Sequence, residues 1–388
     1  MESTMNTAYR RINVDDIRLE VPLPWDVFDS QGVLLLHKGY VLSSQRQMEA
    51  LIARGVFADF TGTESVEEPV VATSSLPKKE KFSVLRVINE VNKSLETLLP
   101  NLPNEINAEA KILKLARMVE AAVESNADIA LACILLNQIH GIYPVRHCTD
   151  TAVVSILVAR AMKKSTDEIM SITAAALTMN IGMLIYQEKL QQREGALSDA
   201  EFKAMRQHPE NGVKALQQAG VKGHDWLAYV LHHHENEDGS GYPNGLSGAD
   251  IPQNAKIIAL ADRYCARVSA RNYRKSMLPN VALRDIFIDS GKSVDPMLGA
   301  YFIRELGLYP PGALVRLNSN EIGVVTEKGA TATTPVVYVM MGAGGQLLAS
   351  PAKRDTAAEG YAIKEALHEK KLTILLKMEQ LWGKEAQL

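Results

Sequence analysis

A short stretch near the middle of the chain combines residue types that can bind a metal. His232, His233 and His234 are consecutive, and three carboxylates and the turn-forming sequence "DGSGYPNGL" follow them closely. Imidazole together with carboxylate is the usual ligand set for divalent iron, manganese or zinc. A polar helix end that continues into a solvated loop would have a similar composition. The stretch alone therefore leaves both interpretations open.

Most of the other histidines lie upstream in the same region. Seven of the nine fall between positions 140 and 234: His140, His147, His208, His224, His232, His233 and His234. A helical bundle can bring such side chains together around an ion. Buried structural histidines that hydrogen-bond to backbone carbonyls are the alternative, and composition does not separate the two.

A carboxylate further along the chain is placed where it needs a partner. Asp262 lies within the apolar sequence "AKIIALADRYCARVSA", whose spacing predicts a buried helix. A buried carboxylate is unfavourable unless it is paired or bound to a metal. Asp262 could thus be a metal ligand, or it could form a salt bridge with Arg263 or Lys256.

Two further groups could bind a ligand near these residues. The glycines of "DGSGYPNGLSG" permit tight turns and close approach of the backbone to a ligand. The sequence "RNYRK" then supplies Arg271, Arg274 and Lys275, which could hold phosphate oxygens. Exposed cations at a helix end are the alternative interpretation of this cluster.

A helical frame must position these residues. The segment 82–306 shows helical spacing almost throughout, which predicts one large bundle. In the part of the bundle that carries the histidines and Asp262, we expect helices over residues 128–140, 147–162, 166–180, 198–218, 223–234, 254–269 and 279–289.

The two ends of the chain have a different texture. Residues 1–62 alternate apolar and polar positions, which predicts a small α+β domain. Residues 63–81 are rich in Ser, Thr, Pro and charge without periodicity, as is typical of a linker. Residues 307–388 predict a small antiparallel β unit with a last helix at about 360–383. The fold class expected for the whole chain is mainly α.

Composition argues against several classes of protein. The 388 residues carry a formal charge of −3 and are 46% apolar, as in a folded protein of more than one domain. Because there is no basic excess, we expect no DNA binding and no membrane-surface binding. No apolar run is long enough to span a bilayer, and Cys133, Cys148 and Cys265 are too few for a disulfide framework. We therefore expect a cytoplasmic protein.

The motif around the three histidines resembles the signature of the HD-GYP family. The matching residues are His233-His234-Glu235, then Asp238-Gly239-Ser240-Gly241-Tyr242-Pro243 and Gly245-Leu246. The family comprises bacterial signalling phosphodiesterases of cyclic di-GMP with an HD-type helical bundle. The resemblance covers about residues 140–300 and implies two sets of site residues. The implied metal ligands are His147, His208, His233, His234 and Asp262, and the implied nucleotide contacts are Gly239, Gly241, Tyr242, Arg271 and Lys275.

One part of the family pattern is absent. In "AAALTMNIGMLIYQ", Met179, Asn180 and Met183 stand where the family has a His-Asp pair and a following Lys. In the family the aspartate bridges two metal ions, whereas a thioether and a neutral amide are poor ligands for such ions. No catalytic residue of that set is intact.

We therefore expect a degenerate member with little or no hydrolysis. It would bind a single divalent ion (Fe, Mn or Zn) or none, together with cyclic di-GMP, a related nucleotide or a signalling protein. An active phosphodiesterase with an unorthodox or mononuclear site is the first alternative, since three or four ligands suffice for one ion. A purely structural scaffold is the second.

Overall fold

The computed structural model describes most of the chain. The described residues are 9–13, 16–17, 21, 23–30, 32, 34–40, 48, 51–52, 57–59, 82–136, 138–184, 198–269, 276–289, 293–368 and 377–388. The predicted nucleotide contacts Arg271 and Lys275, with Arg274, lie outside these residues, as does the predicted linker 63–81. The chain divides into two compact units, Met1–Lys79 and Glu80–Leu388. The four-part division expected from the sequence remains a prediction.

The first unit contains a small antiparallel sheet. Its strands are β1 (Tyr9–Arg11), β2 (Val27–Phe28), β3 (Leu34–Leu36) and β4 (Phe57–Asp59). Their order is β1-β4-β2-β3. A small apolar core, which includes Ile12, Trp25, Val27, Met48, Leu51 and Ala58, lies within this unit.

The second unit is built mainly from helices. The helices are α1 (Val84–Leu98), α2 (Ala108–Ser125), α3 (Ala127–Leu135), α4 (Tyr143–Ala161), α5 (Thr166–Thr178), α6 (Asp199–Arg206), α7 (His208–Gln218), α8 (His224–His232), α9 (Gln253–Val268), α10 (Pro279–Arg284), α11 (Pro296–Leu306) and α12 (Glu379–Trp382). The helix predicted over 198–218 is two helices, because Pro209 occupies a first-turn position where it can start a helix but not continue one.

Helix α4 is the centre of this bundle. Its residues from Tyr143 to Ala159 are almost all buried, and it packs against both α5 and α9. A helix that is buried on nearly all sides lies in the interior, and α4 carries polar residues such as His147 and Asp150 into it. Helix α5 begins with a capping box, in which Ser165 accepts from the Glu168 backbone and Glu168 accepts in return. These three helices therefore form a fixed frame for the side chains that project from them.

A five-stranded antiparallel sheet follows the bundle. It consists of β5 (Leu314–Leu317), β6 (Ile322–Glu327), β7 (Val336–Met341), β8 (Leu347–Asp355) and β9 (Ile363–Leu367), in the order β8-β7-β6-β5-β9. Apolar side chains lie on both of its faces. The expectation of a small β unit after a helical bundle is confirmed, and the fold class is mainly α with small antiparallel sheets.

The helix predicted over residues 360–383 is wrong. Residues Ile363–Leu367 form a strand that pairs with β5, and the described helix is limited to Glu379–Trp382. The sequence "IKEAL" suits a helix locally, but pairing with the edge of β5 satisfies its backbone groups and buries Leu367. A tertiary partner thus decides the structure of this segment.

Candidate metal and nucleotide site

Three of the predicted ligands form a compact cluster. His208 begins α7, and His233 and His234 directly follow α8. One nitrogen from each imidazole can be chosen so that all three lie within 4.8 Å of one another. The Nε2 atoms of His208 and His233 are only 3.2 Å apart. We refer to these residues as the histidine cluster.

Backbone carbonyls orient two of these imidazoles. The Nδ1 atom of His208 lies 2.6 Å from the Met205 carbonyl, and Nδ1 of His233 lies 2.6 Å from the Val230 carbonyl. A carbonyl oxygen can only accept, so each Nδ1 carries the proton. Each Nε2 of a neutral ring is then a lone-pair donor, as metal-binding histidines require.

The electrostatics of the cluster favour neutral imidazoles. Burial, together with the neighbouring His233, lowers the pKa of His208 to about 3. Burial likewise lowers the pKa of His233 and, more strongly, that of His234. Neutral histidine is the form that binds a metal ion.

The facing lone pairs provide a test of whether an ion fits. Two acceptors 3.2 Å apart repel each other unless a cation or proton lies between them. Nitrogen ligands at about 2.0–2.1 Å from a tetrahedral ion would lie roughly 3.3 Å apart. The spacing of His208 and His233 therefore fits a shared divalent ion.

The two remaining predicted ligands, His147 and Asp262, pair with each other and are not part of the three-histidine group. The His147 Nε2 atom, on α4, donates to Oδ1 of Asp262, on α9, over 2.7 Å, and both side chains are buried. Burial by itself would raise the pKa of Asp262, but the hydrogen bond and charge of His147, with the charges of His234 and His233, make the net shift downward. The Asp262 carboxylate in turn acts electrostatically on all three clustered histidines.

The structure thus groups three of the five predicted ligands and pairs the other two with each other. The salt bridges considered as alternatives for Asp262 are not the ones that form among the described residues. Lys256 instead pairs with Glu237 at 2.7 Å, and Arg263 donates to the Asn236 side chain. The Nδ1 atom of His147 is buried and has no hydrogen-bond partner among the described residues.

The loop after the histidines is held by Glu235. Its buried carboxylate accepts from the backbone N–H groups of Asn244, at 2.8 Å, and Leu246, at 3.0 Å. Both carboxylate oxygens are used, one for each amide. Glu235 therefore shapes the loop and is not available as a metal ligand in this arrangement, a role that the sequence did not reveal.

The loop also places Tyr242 against the cluster. The Tyr242 ring stacks on His234 with ring centroids 4.7 Å apart. The backbone N–H of Tyr242 donates to the His234 carbonyl. A Cβ on Gly241 would lie 2.6 Å from that carbonyl oxygen, so a larger residue does not fit. Gly239 has φ +78°, which favours glycine. Of the predicted nucleotide contacts, these three are described, and Tyr242 is the one in ring contact with the cluster.

The substituted positions border the same site. Met179 is fully buried, and Asn180 is almost so. Asn180 acts electrostatically on the thiol of Cys148, the residue after His147, and burial raises the pKa of this thiol to about 12. The short turn Ile181–Met183 packs on the start of α7. An uncharged amide and a thioether thus occupy the border of the cluster.

Comparison with known proteins agrees with this geometry. Residues 142–298 match the HD domain family. A cyclic di-GMP phosphodiesterase from Pseudomonas aeruginosa is 34% identical over 202 residues, which cover 52% of this chain and 49% of the relative. The cyclic di-GMP phosphodiesterase response regulator RpfG from Xanthomonas campestris is 34% identical over 141 residues, covering 36% of this chain and 37% of the relative. The chain thus spans about half or less of the length of these relatives.

Among solved structures, an HDG"Y"P protein from Bdellovibrio bacteriovorus has a TM-score of 0.48 and 15% identity, covering 76% of this chain and 98% of that chain. The helical bundle of residues 142–298 thus matches an HD domain. Over part of its length, this chain is similar to cyclic di-GMP phosphodiesterases, in agreement with the HD-GYP resemblance of the signature around His233. Within the described part of the chain, no helix combines the length and apolar character needed to cross a membrane.

Proposed function

We propose that this chain is a degenerate HD-GYP protein that binds one divalent ion and cyclic di-GMP or a related nucleotide, with little or no hydrolysis. One observation carries the proposal. His208, His233 and His234 lie close together and His147 pairs with Asp262, whereas buried Met179 and Asn180 stand where the resembling family has its His-Asp pair. The nucleotide is suggested by the relatives, which are named as cyclic di-GMP phosphodiesterases.

The retained side chains suffice for one ion. His208, His233 and His234 would supply three imidazole ligands, and Asp262 would supply the single negative charge next to them. A bound divalent ion would polarise a phosphoryl oxygen or an attached water molecule. The loop held by Glu235 keeps Tyr242 stacked on His234, at the edge where a nucleotide would approach.

The same geometry argues against efficient hydrolysis. A two-ion site needs an anionic oxygen between the ions, but Asn180 is a neutral amide. Met179 offers only a thioether, which binds hard or borderline ions weakly. Loss of a single electrostatic stabiliser commonly reduces a rate by about 10²–10³-fold. Two missing ligands should therefore leave little turnover.

An active phosphodiesterase with a mononuclear site is the second candidate. It is favoured by the same convergence, since three or four ligands are enough for a catalytic zinc-like ion. The two candidates predict the same ion content and the same nucleotide binding. They differ in turnover.

Three measurements on the full chain test the proposal. Metal analysis by mass spectrometry should find about one ion per chain, and calorimetry should detect cyclic di-GMP. An assay with manganese or iron should produce no more pGpG or GMP than a His233→Ala variant does. The matched control is His224→Ala, because His224 is exposed and lies at the far end of α8.

Each result favours one candidate. Turnover well above that of His233→Ala would establish the active alternative. If each chain binds two ions, the replacement of the bridging aspartate by Asn180 does not limit the site to one ion, and this part of the proposal is wrong. If neither ion nor nucleotide binds, only the structural scaffold is left.

A further inference from the structure

A short helix beside the site exposes an aromatic side chain. Helix α6 ends two residues before His208, and none of its side chains is buried. Phe202 on this helix is 49% exposed. Arg206 lies four residues later, so the two side chains share one face of the helix. Core packing does not account for the aromatic residue here.

The guanidinium of Arg206 lies between two rings. Its Cζ atom is 5.9 Å from the Phe202 ring centroid and 5.0 Å from the Tyr242 ring centroid. Its Nη2 atom donates to the Gly241 carbonyl over 3.4 Å. Because Tyr242 stacks on His234, an unbroken series of rings and one cation leads from the surface to the histidine cluster.

Among the described residues, a second arginine near the cluster, Arg263, is already engaged. Arg263 is largely buried, donates to Asn236 and lies beside the charge of Asp262. Arg206 is exposed, and the described residues accept one weak hydrogen bond from its five donor groups. Arg206 is therefore the better placed of the two cations to receive an anion that arrives from solvent.

This combination is the one that nucleotide-binding surfaces use. Bases stack on aromatic faces and on guanidinium planes, and guanidinium binds phosphate oxygens in a bidentate manner. A lone exposed phenylalanine would need no explanation. Phe202, however, is continuous with a cation and with the ring that covers His234.

We propose that Phe202, Arg206 and Tyr242 form a subsite for a purine nucleotide linked by a phosphodiester. A base stacks on Phe202, Arg206 donates to phosphate oxygens, and Tyr242 connects this subsite to the ion. The inference rests on the proposed nucleotide binding and extends it to helix α6, which contains none of the residues of the family signature.

Calorimetry with cyclic di-GMP on the metal-loaded full chain tests the subsite. Phe202→Ala should weaken binding about 5- to 100-fold, the usual effect of removing a stacked aromatic ring. Phe202→Trp should retain binding because it keeps a ring face. Arg206→Ala should weaken binding at least about 10-fold. The affinity of Arg206→Lys should lie between those of Arg206→Ala and the unaltered chain, because lysine keeps the charge but not the bidentate geometry.

Matched controls separate local from general effects. Lys203→Ala removes a cation from the same helix, and Phe82→Ala removes an exposed phenylalanine at the start of the second unit. Both should bind like the unaltered chain. Metal content should be equal in every variant, because Phe202 and Arg206 are not ligands.

The outcomes distinguish this inference from the proposed function. Unaltered affinity in Phe202→Ala and Arg206→Ala would overturn the subsite while nucleotide binding stands. Equal losses in Phe202→Ala and Phe202→Trp would also exclude stacking. If the unaltered chain binds no cyclic di-GMP, the proposed function and the subsite are both wrong.

Discussion

At the scale of single residues, the site depends on how few charges it contains. Asp262 is the one carboxylate among the five predicted ligands, and its side chain pairs with His147. The neighbouring amide of Asn180 adds no charge. A single divalent ion would find one anion and several neutral nitrogens, which is a set typical of zinc-like sites.

Restoring the family pair should restore the second ion. We expect the double variant Met179→His, Asn180→Asp to raise metal content from about one to about two ions per chain, because it adds an imidazole and a carboxylate at the border of the cluster. Cyclic di-GMP hydrolysis should rise by at least about 10²-fold. Metal analysis and product chromatography are the measurements.

The control for this variant is Asn180→Ala with Met179→Ala, which changes the same positions without adding ligands. It should show one ion and no gain in hydrolysis. A double variant that folds but still carries one ion would show that the substituted positions do not face the site.

Protonation of the cluster should destabilise the metal-free protein. Burial holds the pKa of His208 at about 3, against an ordinary 6.5, so below pH 6.5 the unfolded chain binds a proton that the folded chain excludes. The free energy of unfolding therefore falls as the pH drops from 6.5 towards 3. For one such histidine the loss is roughly 2 kcal/mol between pH 6.5 and 5.

Urea unfolding with a chelator at pH 7.5 and 5.0 measures this loss. His208→Asn should lose less unfolding free energy between the two pH values than the unaltered chain does. Asparagine does not bind a proton in the unfolded chain, so the pH-dependent difference at this position disappears. His224→Asn, which changes an exposed histidine, should show the same loss as the unaltered chain. If His208→Asn and the unaltered chain show the same pH dependence, the lowered pKa of His208 does not cause the loss of stability.

At the scale of elements, the site lies where helix ends meet helix interiors. His208 comes from the start of α7 and His233 from the end of α8, whereas His147 and Asp262 project from the buried helices α4 and α9. Packing must hold these elements at fixed spacing, since a shift of an ångström would separate the ligands.

Gly182 is a sensitive point in that packing. A Cβ at this position would lie 2.2 Å from the His208 carbonyl oxygen and 2.5 Å from the Gly212 nitrogen. Gly182→Ala should therefore push α7 away, lower the free energy of unfolding by about 2 kcal/mol or more and reduce metal content. Chemical denaturation and metal analysis measure both effects.

Gly212 provides the matched control on the facing helix. A Cβ there would make ordinary contacts of 3.4 to 3.6 Å. Gly212→Ala should be neutral or stabilise the helix by up to about 1 kcal/mol, with full metal content. Equal behaviour of the two variants would mean that the close approach at Gly182 does not position His208.

At the scale of the whole molecule, the site belongs to one of two compact units. The histidine cluster and Asp262 lie in Glu80–Leu388, while Met1–Lys79 has its own small core. An ion that binds only the folded form of one unit stabilises that unit alone. The effect of added metal on the unfolding transitions can therefore show whether the two units unfold separately.

Scanning calorimetry of the full chain should show this selectivity. Zinc or manganese at about 100 times the dissociation constant would add about 2.7 kcal/mol and raise the transition temperature of the larger unit by about 4 °C. The transition of the smaller unit should stay in place. His233→Ala should abolish the shift, and a shift of both transitions together would show that the units unfold as one.

Short-range features of the site could be read from the order of residues alone. His233, His234, Gly241 and Tyr242 are close in the chain, so a helix end and a tight loop are enough to bring them together. Helical spacing likewise predicted the bundle, because an apolar stripe must be buried wherever the helix packs.

Other features depended on contacts between distant segments. His147 meets Asp262 across 115 positions, and the local sequence equally allowed a salt bridge of Asp262 with Arg263 or Lys256. Residues 363–367 became a strand because β5 offered an edge to pair with. The contact of Arg206 with Tyr242 had no sequence signal.

The sequence by itself determined the residue types, the local turn and helix geometry and the absence of the His-Asp pair. The tertiary structure alone decided which side chains face one another and which backbone edges pair. The physical reason is that local preferences are worth fractions of a kcal/mol per residue, whereas packing and burial of paired polar groups are worth several.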